Sequence, residues 1–210
     1  MQFKLWKNWK GPINISLEKI TMKNFFLAGA LSFLSITITI AQSNLPPLDK
    51  SPLDESYCPA NYPLLKIQDK ITDPLLARVI YSRPQKNGRV IFGELIEYGK
   101  VWRLGANEAT EIEFYQNVKM GDAKIKRGRY NLYAIPDTGK WTIIVSKETD
   151  TWGSFRYDIK KDIARMDVPV QTQTEISEAF TILFDKSDKG YDLQFYWDNV
   201  KVTVPISISL

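Results

Sequence analysis

The sequence predicts an all-β protein, folded as an antiparallel β-sandwich or open barrel with one or two short helices. Three observations support this. Short segments of alternating apolar and polar residues recur along the chain, turn residues separate them, and long helical periodicity is absent. We therefore expect a single β-sandwich domain over residues 75–210.

The N-terminal residues are predicted to lie outside that domain. A basic start after Met22 precedes an apolar run that ends at Ala41 in a small-x-small pattern. This organisation is typical of a secretory signal peptide over residues 22–41, with residues 1–21 as an upstream extension. Cleavage after Ala41 predicts a periplasmic or secreted protein, and a retained membrane anchor is the alternative.

Removing that segment changes the charge of the chain. Residues 1–41 contain five of the 28 basic residues and one of the 24 acidic residues, so 23 of each remain. A neutral mature chain gives no case for nucleic-acid binding. Histidine is absent and Cys58 is the single cysteine, which excludes an intramolecular disulfide, His-based triads and His-ligated metals. We predict no metal site and no cofactor.

Residues 42–74 are predicted to form an extended, Pro-rich lead-in along the surface of the domain. Proline fixes φ and removes a backbone donor, so a segment rich in it favours extended structure without regular pairing. Period-2 patterns begin only after this segment.

Those patterns predict a series of strands joined by short turns. Glu111–Tyr115 alternates charged and apolar residues, as a half-buried antiparallel strand does. Gly121-Asp122 and Pro136–Gly139 supply turn residues for two hairpins, and Asp198-Asn199 is predicted as another tight turn. The predicted strands are Arg78–Tyr81, Glu111–Tyr115, Val118–Met120, Ala123–Ile125, Tyr130–Ile135, Trp141–Val145, Ala164–Val168, Ala179–Phe184, Leu193–Trp197 and Val200–Ile206.

The stretch from Tyr81 to Phe114 is the least regular part of the predicted domain. It contains four glycines, and Phe92–Val101 within it is predicted to be briefly helical, as is Trp152–Ile163 further on. Long irregular insertions in compact domains are either functional or disordered, and this one is too apolar for disorder. We therefore expect a functional site here.

Motifs in this stretch and beyond it resemble a known family. Tyr81-Ser82-Arg83-Pro84 is followed by Tyr98–Arg103 and by Gly105–Thr110, and Trp152-Gly153 comes later. Together they are similar to the DUF2911 family of exported bacterial proteins, over about Leu48 to Pro205. The resemblance implies family membership, but it brings no assigned activity and no catalytic residues.

The first candidate ligand-binding set combines arginines with an amide and a carboxylate. Guanidinium groups bind carboxylates, sulfates or phosphates in a bidentate manner, and Asn orients a ligand through one donor and one acceptor. The alternative is that these side chains pair internally and hold a long loop to the sheet. The set consists of Arg83, Arg89, Arg103, Asn107 and Glu108, with Trp102 as an apolar wall.

The second candidate set is the aromatic segment Trp152–Asp158. Exposed aromatic rings beside a glycine can stack on sugar rings, so Trp152 and Tyr157 are candidate ligand-binding residues. The alternative is a covering segment whose rings fill the core.

The leading functional prediction is recognition without turnover. An exported domain would bind a small polar or anionic ligand through Arg83, Arg103 and Asn107, and would meet a membrane only during export. One alternative is a hydrolase of an envelope or extracellular glycan, with Glu108 and Asp158 as catalytic carboxylates about 5–9.5 Å apart. Another is a structural or protein-interaction module, which predicts a flat apolar patch without a pocket.

Overall fold

The computed structural model describes residues 45–188 and 190–209. The residues from Pro47 onward form one compact unit. The predicted upstream extension and signal peptide lie outside the described residues. Within the described ranges, no helix is long and apolar enough to cross a membrane.

Nine strands, one α-helix and one 3-10 helix make up the regular structure of the described residues. The α-helix, α1, is Tyr62–Ile67, and the 3-10 helix is Ile159–Lys161. The strands are β1 (Leu53–Cys58), β2 (Ala77–Ser82), β3 (Glu111–Phe114), β4 (Val118–Met120), β5 (Ala123–Ile125), β6 (Gly128–Pro136), β7 (Lys140–Ser146), β8 (Asp162–Ser187) and β9 (Gly190–Ile208). Buried and partly exposed residues alternate in β3, as expected for side chains that point to opposite faces.

The nine strands form a single antiparallel sheet in the order β1-β2-β3-β6-β7-β8-β9-β4-β5. The sheet does not close, because β1 and β5 remain at its two ends. The predicted all-β antiparallel fold is confirmed, and the strands belong to one continuous open sheet. Residues from both ends of that sheet pack into one hydrophobic core.

Both hairpins predicted from turn residues between residues 118 and 145 are present. β4 and β5 pair around Gly121-Asp122, where Gly121 adopts a φ of 57°. Glycine takes this left-handed conformation without the steric cost that a Cβ imposes. β6 and β7 pair across the second turn, in which the amide of Asp137 donates to the carbonyl of Lys140 at 2.9 Å.

Strands β8 and β9 are each longer than the sequence predicted. The predicted turn at Asp198-Asn199 is wrong, since β9 continues through it. Asp198 has a φ of 54° and pairs with Ser177, and the β8–β9 register shifts on both sides of Ser177. The left-handed residue therefore belongs to a bulge in a continuous strand pair. Bulges and turns use the same residue types, which explains the error.

Three other segments differ from their predictions. Within residues 42–74, β1 pairs with β2 and α1 follows, so this region contributes an edge strand and is more than an extended lead-in. Phe92–Val101 forms turns instead of a helix, with Gly93 at a φ of 96°. Such a backbone cannot continue a right-handed helix. Trp152–Ile163 is helical only over its 3-10 turn.

An aromatic cluster fills the core beneath the chain that precedes β3. Trp102 stacks on Trp197 with ring centroids 5.8 Å apart. It also packs edge-on against Trp141 at 5.7 Å and Phe180 at 5.0 Å. Aromatic pairs of this kind add about 0.5–1.5 kcal/mol each beyond the burial of apolar area. The cluster fixes the position of the residues on either side of Trp102.

Candidate functional site

The two stretches that the sequence singled out separately lie side by side. We call residues 101–110 the arginine loop. This loop contacts the aromatic segment, Trp152–Asp158. The amide of Gly153 donates to the carbonyl of Asn107 at 2.9 Å, and an isolated antiparallel bridge lies next to this bond. The fold therefore combines the two candidate sets into one region.

Left-handed backbone turns the arginine loop back toward the sheet. Leu104, Gly105 and Asn107 have φ values of 54°, 154° and 56°. Glycine is required at position 105, because a Cβ there would lie 2.9 Å from the carbonyl oxygen of Ser82. The indole nitrogen of Trp102 donates to the carbonyl of Gly105 at 3.1 Å. The loop is thus attached to the core from within.

Arg103 carries a partly buried guanidinium group that takes part in none of the ion pairs within the described residues. Its Nε is buried and has no hydrogen-bond partner there. Burial lowers the pKa of Arg103, since desolvation disfavours the charged form. A charge removed from water is unfavourable unless it is paired. Arg103 is therefore the side chain in this region that most clearly calls for an anionic partner.

A cavity of about 170 Å³, the Arg103 cavity, opens beside this guanidinium. Lys100 and Glu97 also line it, so its charged lining is mixed but positive on balance. Ser154 of the aromatic segment lies at its rim, where the hydroxyl donates to the carbonyl of Val101 at 2.9 Å. This bond fixes the aromatic segment next to the cavity.

Phe155 and Arg103 converge over Gly153. A Cβ built on Gly153 would lie 2.9 Å from the ring of Phe155 and 3.8 Å from Cδ of Arg103. Gly153 also has a φ of 66°, so a side chain is disfavoured there on both counts. The ring of Phe155 is 84% exposed, which leaves an aromatic surface available beside the guanidinium.

Arg83 lies in a different environment and does not line the Arg103 cavity. Its guanidinium donates to the carbonyl of Phe180 at 3.2 Å, to the carboxylate of Asp54 at 2.9 Å and to the hydroxyl of Thr181 at 2.9 Å. These contacts tie the end of β2 to β1 and β8. For Arg83 the internal-pairing alternative describes the geometry.

The other residues of the first set also differ from one another in their surroundings. Arg89 is exposed and donates to backbone carbonyls within its own turn. Trp102 is 4% exposed, so it belongs to the core and forms only the floor of the Arg103 cavity. Asn107 and Trp152 lie where the arginine loop meets the aromatic segment, and Trp152 is 62% exposed.

Tyr157 is held by an internal contact. Its hydroxyl donates to the carboxylate of Asp162 at 2.5 Å, and Arg165 donates to the same oxygen at 3.2 Å. Burial and the bond to Asp162 raise the pKa of Tyr157, and burial raises the pKa of Asp162. Its ring also packs edge-on against Tyr133 at 5.2 Å.

The candidate catalytic carboxylates Glu108 and Asp158 lie in different settings. Glu108 is exposed and borders a cavity of about 180 Å³ together with Glu111 and Asp150. Burial raises the pKa of Glu111. Asp158 does not line that cavity, and its carboxylate accepts a bond from the amide of Lys160 at 3.0 Å at the start of the 3-10 helix.

Sequence reasoning missed Phe155 and Lys100 as site residues. Both lie within motifs that the sequence analysis quoted, but exposed rings and core rings look alike in a sequence. The one usable signal was Gly153, since a glycine inside an aromatic run indicates close approach of a side chain or ligand.

Among the described residues, no group of three or more His, Cys, Asp or Glu side chains is placed to hold a metal ion. The charged groups of the Arg103 cavity are two cations and one carboxylate, which favours an anionic ligand.

A family model described as "Protein of unknown function (DUF2911)" matches residues 63–206. The match includes the arginine loop, the aromatic segment and all strands except β1 and the end of β9. Neither a curated protein nor a solved structure shows significant similarity to the chain.

Proposed function

We propose that this chain, which belongs to the DUF2911 family, binds a small ligand that carries a carboxylate or phosphate group. The observation that supports this is the state of Arg103, whose guanidinium is partly buried, lines a cavity and is unpaired among the described residues. From the sequence, Arg83 and Asn107 are the expected partners of Arg103 in ligand binding. The proposal now rests on Arg103 with Lys100 and Phe155 as its neighbours.

An oxyanion would supply what the guanidinium of Arg103 lacks. A carboxylate or phosphate accepts two parallel N–H bonds from one guanidinium, and charge-assisted bonds of this kind are about twice as strong as neutral ones. Lys100 adds a second positive charge at the same cavity. The exposed ring of Phe155, which like Cδ of Arg103 lies close to Gly153, offers apolar contact to the rest of the ligand.

The size and charge of the cavity limit the ligand. Pockets for drug-sized molecules measure about 300–1,000 Å³, and the Arg103 cavity has about 170 Å³. It fits a small molecule, or the anionic end of a larger one. Glu97 in the lining would repel a second negative group on its side, so ligands with a single anionic end are favoured.

The proposal is for recognition without turnover, outside the cytoplasm. The titratable groups that line the cavity are Arg103, Lys100 and Glu97, and the candidate catalytic pair Glu108 and Asp158 is not among them. The predicted signal peptide over residues 22–41 supports the location.

Thermal unfolding of the purified protein tests the proposal. Inorganic phosphate, glucose 6-phosphate and acetate are compared with glucose, which shares the sugar hydroxyl groups but has no charge. A ligand at 100 times its Kd stabilises the native state by about 2.7 kcal/mol. For a domain of this size, each kcal/mol raises Tm by about 2–4 °C. We expect at least one oxyanion to raise Tm and glucose to have no comparable effect through this site.

Two variants locate the effect. Arg103→Met keeps the length and apolar character of the side-chain stem and removes the charge, so the shift caused by the oxyanion is lost. Arg127→Gln removes one positive charge from an exposed residue outside the cavity, so the shift remains. The proposal fails if no oxyanion changes Tm at about 20 mM. It also fails if Arg103→Met shows the same shift as the unmodified protein.

A further inference from the structure

A cavity larger than the Arg103 cavity lies where edge strand β1 meets β8. Its volume is about 420 Å³, within the range of about 300–1,000 Å³ that small-molecule sites occupy. Its lining comes from β1 and the turn after it on one side, and from β8 and β9 on the other. We call it the seam cavity. None of its lining residues lines the Arg103 cavity.

Two tyrosines contribute to opposite sides of the seam cavity, and each is fixed by a hydrogen bond. The hydroxyl of Tyr57 in β1 donates to the carboxylate of Glu55 at 2.6 Å. The hydroxyl of Tyr196 in β9 donates to Oε1 of Gln194 at 2.5 Å. Lys201 Nζ lies 5.3 Å from the ring centroid of Tyr196, which further restricts that ring. The cavity thus has aromatic surface in defined positions.

Gln194 is a buried polar side chain in the lining. It is 8% exposed, and its neighbours Leu193 and Phe195 are core residues of β9. Its Oε1 accepts the bond from Tyr196, so the amide nitrogen still has two protons to donate. A fixed amide that lines a cavity and keeps donors for further hydrogen bonds can orient a polar ligand.

Two carboxylates complete the lining. Glu55 and Asp185 are both exposed, and Oδ1 of Asp185 accepts only the amide of Lys186 at 2.9 Å. Carboxylates accept hydrogen bonds from hydroxyl groups, whereas they repel anions. Among the described residues, the lining contains no Lys or Arg. The ligand of the Arg103 cavity is therefore excluded from this one by charge.

We infer that the seam cavity binds a neutral saccharide of about one or two rings, in keeping with its size. A sugar presents hydroxyl groups on its rim and C–H groups on its ring faces. The carboxylates of Glu55 and Asp185 and the amide of Gln194 match the hydroxyl groups, and the rings of Tyr57 and Tyr196 match the apolar faces. This site is independent of the oxyanion site proposed above.

Calorimetric titration of the purified protein with maltose, cellobiose and N,N′-diacetylchitobiose tests the inference. We expect at least one disaccharide to bind. Asp185→Asn keeps the shape of the side chain but removes the charge, and we expect about tenfold weaker binding, because hydrogen bonds to a charged acceptor are stronger than those to a neutral one. Tyr57→Ala removes one ring and should weaken binding by a similar factor.

Matched controls separate this site from other effects. Asp122→Asn removes a carboxylate from the exposed turn between β4 and β5, outside the seam cavity, and leaves binding unchanged. Arg103→Met also leaves it unchanged, so failure of the oxyanion proposal would not affect the result. The inference is overturned if none of the three disaccharides binds at about 10 mM. Equal binding by Asp185→Asn, Tyr57→Ala and the unmodified protein, with all three folded by circular dichroism, would also overturn it.

Discussion

Arg83 and Arg103 occur in the same irregular stretch of sequence, and their surroundings in the fold are opposite. Where β1 meets β8, Arg83 makes hydrogen bonds to three residues from these two strands. In the arginine loop, Arg103 is also partly buried, yet it has no ionic partner among the described residues. One arginine holds strands together, and the other has a desolvated charge beside a cavity. The difference shows that partners, and not residue type or local motif, decide which arginine is structural.

The partners of Arg83 come from distant parts of the chain. Asp54 is 29 residues away, and Phe180 and Thr181 are 97 and 98 residues away. The neighbours of Arg103 are local or aromatic: Trp102 lies beneath it and Phe155 beside it. Long-range pairing is what converts an arginine into a structural element here.

Replacing Arg83 should give the largest loss of stability. Arg83→Met leaves the carbonyl of Phe180 and the hydroxyl of Thr181 without their donor, and unsatisfied groups of this kind cost about 1–3 kcal/mol. The ion pair with Asp54 adds little, because both side chains are more than a third exposed at 35% and 40%. Urea unfolding measures the change. A loss below about 0.5 kcal/mol would show that Arg83 does not stabilise the contact between β1 and β8.

High pH is expected to lower the stability of the protein through Cys58, which lies at the end of β1. Burial raises the pKa of this thiol from 9.0 to about 12. The unfolded state therefore loses its proton first, so stability is intact below about pH 9 and falls as the pH rises toward 12. The resulting loss in the free energy of unfolding is on the order of 1 kcal/mol at pH 10.

Cys58→Ala isolates that contribution from those of the tyrosines, which also titrate at high pH. The free energy of unfolding should decrease less steeply between pH 8.5 and 10.5 in the variant than in the unmodified protein. Parallel decreases in the two proteins would mean that Cys58 is accessible to water in the native state.

Replacing Arg103 should give the smallest change in stability. Arg103→Met removes a desolvated charge without a partner and retains the apolar stem, so the free energy of unfolding should stay constant or rise by up to about 1 kcal/mol. Urea unfolding of this variant beside Arg83→Met makes the comparison direct. A loss as large as that of Arg83→Met would place Arg103 among the structural arginines and would undermine the oxyanion site.

Local turn chemistry explains which parts of the fold were predictable. The hairpins around Gly121-Asp122 and Pro136–Gly139 were predicted correctly, since short turns with glycine and proline leave few alternatives. Asp198 misled the prediction because its left-handed conformation serves a bulge opposite Ser177, which lies far away in sequence. The edge strand β1 was missed for the same reason, as within the described residues it pairs with β2 alone, which lies at a distance in the sequence.

The candidate site was predictable as a region but not as a geometry. The density of arginine and glycine indicated the arginine loop, and Trp152-Gly153 indicated the aromatic segment. That the two segments meet depends on backbone pairing between Asn107 and Gly153, which no local pattern encodes. The seam cavity gave no sequence signal, because Tyr57 comes from β1 and Gln194 and Tyr196 come from β9, two strands that are distant both in the sequence and in the strand order of the sheet.

The position of β4 in the sheet has a consequence for the order in which the chain folds. Val118 pairs with Ile208 and Met120 with Ile206, so among the described strands the β4–β5 hairpin joins the sheet through β9 alone. An isolated two-stranded hairpin is marginally stable in water. The hairpin must therefore wait until residue 208 has been synthesised, and contacts of such long range make folding slow. During that delay the nascent chain exposes unpaired strand edges, and exposed edges of this kind favour aggregation until the sheet is complete.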